Sequence, residues 1–212
     1  MKKIIIKIYQ FIFFLNLFEF FLMTSSSEAF IPTLNEPNQK ELKSSSIQIG
    51  KTAIQLMRFG KDEEAIKLFK LAVTLNPKEI SLWVNLAEAQ IRLNRKYQAL
   101  LSINKAIKIK PNEQNLYFTK GAIYMDLDDP KKAKILIKKG LSIDKDNERG
   151  YFQLGNSEIM LKNYKSALIA FKKSSNINSN FWQSINNEGL ILYELNNSLE
   201  AIEKFRLALK IS

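Results

Sequence analysis

Asn156, Asn186 and Asn187, with Arg149 shortly before them, are the side chains of this sequence best suited to recognition chemistry. Carboxamides offer a donor and an acceptor to a peptide backbone, and a guanidinium can hold a carboxylate with two parallel hydrogen bonds. No comparable group serves bond making. The chain has no Cys and no His, which removes disulfides, thiolate metal sites and the commonest general base. No phosphate-binding glycine loop, dinucleotide fingerprint, metal-ligand cluster or nucleophile motif occurs. Asp128-Asp129 reads as turn and cap. The sequence therefore predicts a binding protein with no catalytic residue, metal, cofactor or small-molecule substrate.

The elements that must carry these side chains follow from a 34-residue period. Position 20 of the unit reads Ala65, Ala99, Ala133, Ala167 and Ala201. Position 8 reads Ala53, Ala87, Gly121, Gly155 and Gly189, and position 27 reads Ala72, Ala106, Gly140, Ser174 and Ala208. Residues this small let two helices approach closely, while the larger residues at positions 4 and 24 fill the space beside them. Position 15 holds Gly60, Asn94, Asp128, Lys162 and Asn196, of which all but the lysine tolerate the left-handed turn that ends a helix. Gly140 falls inside a helical pattern and Lys145 stands where Pro77 and Pro111 punctuate earlier units, so the junction near residue 145 is the expected flexible point.

In the unit Ile80 to Glu113, Trp83, Leu86, Ala87, Ala99, Ala106 and Pro111 occupy positions 4, 7, 8, 20, 27 and 32. With this period the chain resembles tetratricopeptide repeat (TPR) proteins from Ser46 to Ser212. The resemblance implies an all-α, right-handed superhelix of five helix-turn-helix repeats, at 46–79, 80–113, 114–147, 148–181 and 182–212. The alanines of position 20 are its repeat-packing residues. Residues 30–45 form a linker that turns helical near Asn38 and extends the first helix. Residues 1–29 read as a signal peptide or membrane anchor: Lys2, Lys3 and Lys7 precede a mostly apolar run, Ile8 to Leu22, and Ser27-Glu28-Ala29 resembles a cleavage site. Gln10, Asn16 and Glu19 interrupt the run, which favours cleavage over a retained anchor. The expected location is outside the cytoplasm, in a periplasm or thylakoid lumen, or at a membrane.

In the TPR family a concave groove, lined mainly by positions 2, 5, 9, 12 and 13 of each first helix, holds a peptide. Carried onto this sequence, the resemblance implies a groove of Val84, Glu88, Phe118, Met125, Arg149, Phe152, Asn156, Ile159, Asn186 and Asn187, apolar at its centre. Its partner would be a peptide or helix segment of a client protein. The carboxylate clamp that holds chaperone tails does not fit, because of its residues in the first three units only Asn85 is in place. Ile49 to Leu56 and Phe181 to Leu190 are similar to exported or thylakoid-associated TPR proteins of cyanobacteria and plastids, some of which assist photosystem I assembly.

Net charge is +11. Lys131, Lys132, Lys134, Lys138 and Lys139 share one second helix, with more lysines in the units on either side. A basic convex face of this kind suits anionic lipid or an acidic partner. RNA is a more distant alternative, because arginines are few and lysine is the poorer bidentate reader of phosphate.

Overall fold

The computed structural model describes residues 38–212. The expected signal or anchor segment and the first part of the linker lie outside the described residues. Within them the chain is all-helical: α1 (Gln39–Arg58), α2 (Asp62–Leu75), α3 (Ile80–Arg92), α4 (Lys96–Ile109), α5 (Gln114–Asp126), α6 (Pro130–Ile143), α7 (Glu148–Met160), α8 (Tyr164–Ile177), α9 (Trp182–Glu194) and α10 (Ser198–Ile211). Among the described residues no helix is long and apolar enough to cross a membrane.

The helices pack as five consecutive pairs, α1 with α2 through α9 with α10, and each second helix also packs on the next first helix. First helices of neighbouring pairs touch as well, α1 with α3 and α5 with α7, whereas no second helix meets the next second helix to the same extent. A stack closer on one side bends toward that side. The first helices therefore line the inner surface and the second helices the outer one.

Each pair closes through the same turn. Gly60, Asn94, Asp128, Lys162 and Asn196 all have φ between 57° and 72°. In each turn the next residue's N–H reaches back to the helix, from Lys61 to Leu56 at 2.9 Å through Asn197 to Leu192 at 2.8 Å. This is a Schellman end, which satisfies carbonyls that a helix terminus otherwise leaves open. Lys162 adopts the left-handed conformation despite its Cβ.

Side-chain size fixes the spacing within pairs. Ala65, Ala99, Ala133 and Ala167 are fully buried and Ala201 nearly so. Phe69, Ile103, Ile137 and Phe171 at position 24 are also fully buried. A Cβ on Gly155 would lie 2.5 Å from the Phe171 ring, so glycine at position 8 makes room for phenylalanine at position 24. Gly140 has a similar reason. Its missing Cβ, and that of Gly150, leave the space that the ring of Phe118 occupies, at 2.5 Å and 2.6 Å from the two ideal Cβ positions. Asn147 pins the same junction by accepting from Gly150 N at 2.8 Å and donating to Asp144 at 2.9 Å. Neighbouring units are tied by Arg92, which donates to the Met57 carbonyl at 2.9 Å and pairs with Asp62 at 3.2 Å.

Candidate binding groove

On the inner surface the open residues of each first helix recur at positions 2, 6, 9 and 13, steps of four, three and four that keep one helical face. None of these residues is buried. On α3 they are Ser81, Asn85, Glu88 and Arg92, and on α5 they are Asn115, Thr119, Ala122 and Asp126. On α7 they are Arg149, Gln153, Asn156 and Met160, and on α9 they are Gln183, Asn187, Leu190 and Glu194. The inner surface is thus polar through the middle of the stack and apolar toward its ends, with Ile47 and Ile54 on α1 and Met160 and Leu190 on α7 and α9.

This corrects the expectation of an apolar groove centre. Phe118 is only 6 % exposed. It packs with Ala133, Ile137 and Leu141 over the two glycines and presents no ring to a ligand. Met125 lies half-buried against that cluster. Phe152 is half-buried between Phe171 and Phe181, with centroids 5.7 Å and 5.2 Å away and the planes tilted. Ile159 packs with Ala167, Phe171 and Ile191. Val84 is half-buried on α3 and Glu88 is exposed. Phe118, Met125, Phe152 and Ile159, at positions 5 and 12 of the third and fourth repeats, are drawn between helices, whereas Tyr193 at position 12 of the fifth stays exposed.

The polar candidates come together. Asn187 Nδ2 donates to Asn156 Oδ1 at 3.3 Å, joining α9 to α7 across the inner surface. Arg149 is exposed on the same face of α7, two turns before Asn156. Asn186 is half-buried beside Asn187. Gln153, one turn before Asn156, has a buried Oε1 with no hydrogen-bond partner among the described residues. Two other buried carboxylate oxygens without a hydrogen bond, on Asp62 and Glu188, lie against Arg92 and Lys204 at 3.2 Å and 2.7 Å.

Sequence reasoning placed Leu190 and Tyr193 in groove columns without selecting them for the site, and it passed over Met160. Met160 lies one turn beyond Asn156, and Leu190 one turn beyond Asn186 and Asn187, followed by Tyr193. They are 41 %, 48 % and 62 % exposed. Leu190 and Tyr193 stand in groove columns of the repeat. The signal that separates them from Phe118 is the lack of glycines positioned to receive their side chains.

Comparison with known proteins agrees with this geometry. Residues 80–113 and 114–147 match the family model described as tetratricopeptide repeat. These two units are TPR repeats, and the five-pair stack has the TPR fold. Among solved structures, MamA residues 41 to the end from Desulfovibrio magneticus RS-1 is 17 % identical, covers 78 % of this chain and 94 % of its own, and superposes with a TM-score of 0.70. YrrB, a TPR protein with an unusual peptide-binding site, is 18 % identical, with coverages of 82 % and 89 % and a TM-score of 0.62. TTC0263, a thermophilic TPR protein in Thermus thermophilus, is 17 % identical, with coverages of 79 % and 91 % and a TM-score of 0.65. No curated protein matches the chain in sequence.

Proposed function

We propose that the protein is a non-catalytic interaction scaffold whose inner surface, between α7 and α9, holds a peptide segment of a client protein. The Asn156–Asn187 amide pair carries this reading, because it spans two repeats on the open face. A client backbone would bond these carboxamides, Arg149 would take a carboxylate, and Met160, Leu190 and Tyr193 would shelter one apolar side chain. The peptide-binding site of YrrB, on the same fold, supports the assignment of class. Subunits of a photosynthetic membrane complex under assembly are the first clients to try, given the likeness to exported and thylakoid-associated TPR proteins.

The test is titration of client peptides selected from an array. Asn156→Ala with Asn187→Ala should weaken the best peptide by about tenfold or more, since each lost bond to a buried peptide group costs about 0.5–1.5 kcal/mol. Lys138→Ala on the outer surface should change nothing. Unaltered affinity in the asparagine variant would place the client elsewhere.

A further inference from the structure

The outer surface carries a second feature that peptide binding in the groove leaves unexplained. Leu101 on α4, Ile135 on α6 and Ile169 on α8 occupy position 22 of successive repeats and are 68 %, 68 % and 70 % exposed. An aliphatic residue recurring at one repeat position forms a row along the solenoid. The row has defined ends, because α2 places Lys67 and α10 places Glu203 at that position.

Charge follows the same bounds. The helices α4, α6 and α8 contain no Asp, Glu or Arg, while α2 and α10 each contain acidic residues. Around Ile135 stand Lys131 and Lys138, one turn to either side, and around Ile169 stand Lys165 and Lys172. All four are exposed. Tyr97, 75 % exposed, precedes Leu101 by one turn. Lys132, Lys134, Lys139 and Lys173 are engaged with Asp129, Glu158, Tyr117 and Tyr151, so they serve the fold as well.

We infer that this face docks on an anionic lipid bilayer, with Leu101, Ile135 and Ile169 entering the headgroup layer and the flanking lysines meeting the lipid phosphates. Aliphatic side chains beside lysines, with a tyrosine at the edge, is the composition of surfaces that lie in a bilayer interface. An acidic protein fits less well. The three aliphatic side chains stand singly on successive outer helices, whereas a protein interface needs matched shape at a contiguous apolar core. A fluid headgroup layer does not. Nucleic acid fits less well too, since single-strand readers use aromatic stacking and arginine, and these helices place aliphatics at the centre of the patch.

The absence of Cys makes a single introduced cysteine unique. Ser166→Cys, on the outer face of α8, and Asn115→Cys, on the inner face of α5, would each carry an environment-sensitive fluorophore in the full chain. Vesicles of phosphatidylglycerol and phosphatidylcholine in equal parts should shift the emission of the first label to the blue and leave the second unchanged. Vesicles of phosphatidylcholine alone should shift neither. In the Ser166→Cys chain, replacing Lys131, Lys138, Lys165 and Lys172 with Gln should raise the vesicle concentration needed by about fivefold per lysine. Adding Ile135→Ser with Ile169→Ser should raise it by about tenfold. A shift at Asn115→Cys equal to that at Ser166→Cys, a shift with phosphatidylcholine alone, or no shift at all would overturn the inference. So would polyuridylate or polyglutamate moving the Ser166→Cys label at lower concentration than the anionic vesicles do.

Discussion

The ammonium of Lys139 lies 4.7 Å from the centroid of the Tyr117 ring, across the helix pair α5–α6. One repeat later the ammonium of Lys173 stands 4.6 Å from the centroid of the Tyr151 ring, and the Tyr151 side chain raises its pKa above the ordinary lysine value. These are positions 26 and 4 of the repeat. The two columns change together: Leu71 and Leu207 stand with Ile49 and Ile185 in the outer units, and lysines stand with Trp83, Tyr117 and Tyr151 in the central ones. Position 4 also ties the unit to the loop before it, since Trp83 Nε1 and Tyr117 Oη donate to the carbonyls of Pro77 and Pro111 at 2.9 Å and 2.8 Å. The lysine stem thus covers an aromatic latch between repeats.

A double-mutant cycle on Lys139 and Tyr117 tests this. Lys139→Gln should cost about 0.5–1 kcal/mol in the intact protein, the usual size of a partly exposed cation–π contact. In a Tyr117→Ile background the same change should cost close to nothing, and Lys139→Leu should stabilise. Urea unfolding gives the coupling, and equal costs in both backgrounds would refute it.

Lys162 is the one left-handed residue that the sequence columns do not favour. A side chain with Cβ costs about 1–2 kcal/mol in that conformation, and Asn relieves part of it through its short polar side chain. Lys162→Asn should therefore raise stability by up to about 1 kcal/mol, read as a higher melting temperature. A lower one would mean that Lys162 makes a favourable interaction that offsets its backbone conformation.

Gly140 gives a prediction whose sign depends on its neighbour. Glycine inside a helix is worse than alanine by about 1 kcal/mol, so Gly140→Ala should stabilise on propensity alone. The added Cβ would fall 2.5 Å from the Phe118 ring, and that collision decides the outcome. In the natural background the change should destabilise by about 1–3 kcal/mol, as overpacking does. With Phe118→Leu in place, it should become neutral or stabilising in thermal unfolding.

The repeat architecture was legible because its determinants are small residues at a fixed period: Ala99, Gly155 or Asp128 can be read without knowing their neighbours. The groove was less legible because whether a large side chain faces inward depends on residues in other helices. Phe118 occupies a groove column, yet Gly140 on α6 and Gly150 on α7 open the space that draws its ring inside. Likewise Lys139 and Lys173 read as free surface charge until the rings beneath them are located. Asn156 and Asn187 were recoverable because a carboxamide on an exposed helical face has little reason to turn into an apolar core.

The reading of residues 1–29 as a cleaved signal gives a separate expectation. Protein isolated from its native cell should begin at Phe30, as shown by N-terminal sequencing. An intact Met1 in the membrane fraction would establish a retained anchor, and an intact Met1 in soluble cytosol would defeat both versions.

The contrast between Phe118 and Tyr193 separates the inside of the stack from its ligand surface. Phe118 is buried against Ala133, Ile137 and Leu141, so Phe118→Ala should cost about 3–5 kcal/mol, the usual range for removing a core phenylalanine. It would weaken client binding only through partial unfolding of the third and fourth repeats. Tyr193 is 62 % exposed, and Tyr193→Ala should leave stability within about 0.5 kcal/mol. If its ring covers a client side chain beside Leu190, the same change should weaken peptide binding by about tenfold, the loss expected for a half-buried aromatic contact. Circular dichroism melts and peptide titration on the two variants give four numbers. Binding lost with full stability in Tyr193→Ala, and stability lost in Phe118→Ala, is the expected pattern. If Tyr193→Ala binds as tightly as the natural protein, the C-terminal end of the inner surface is not where the client's apolar side chain sits.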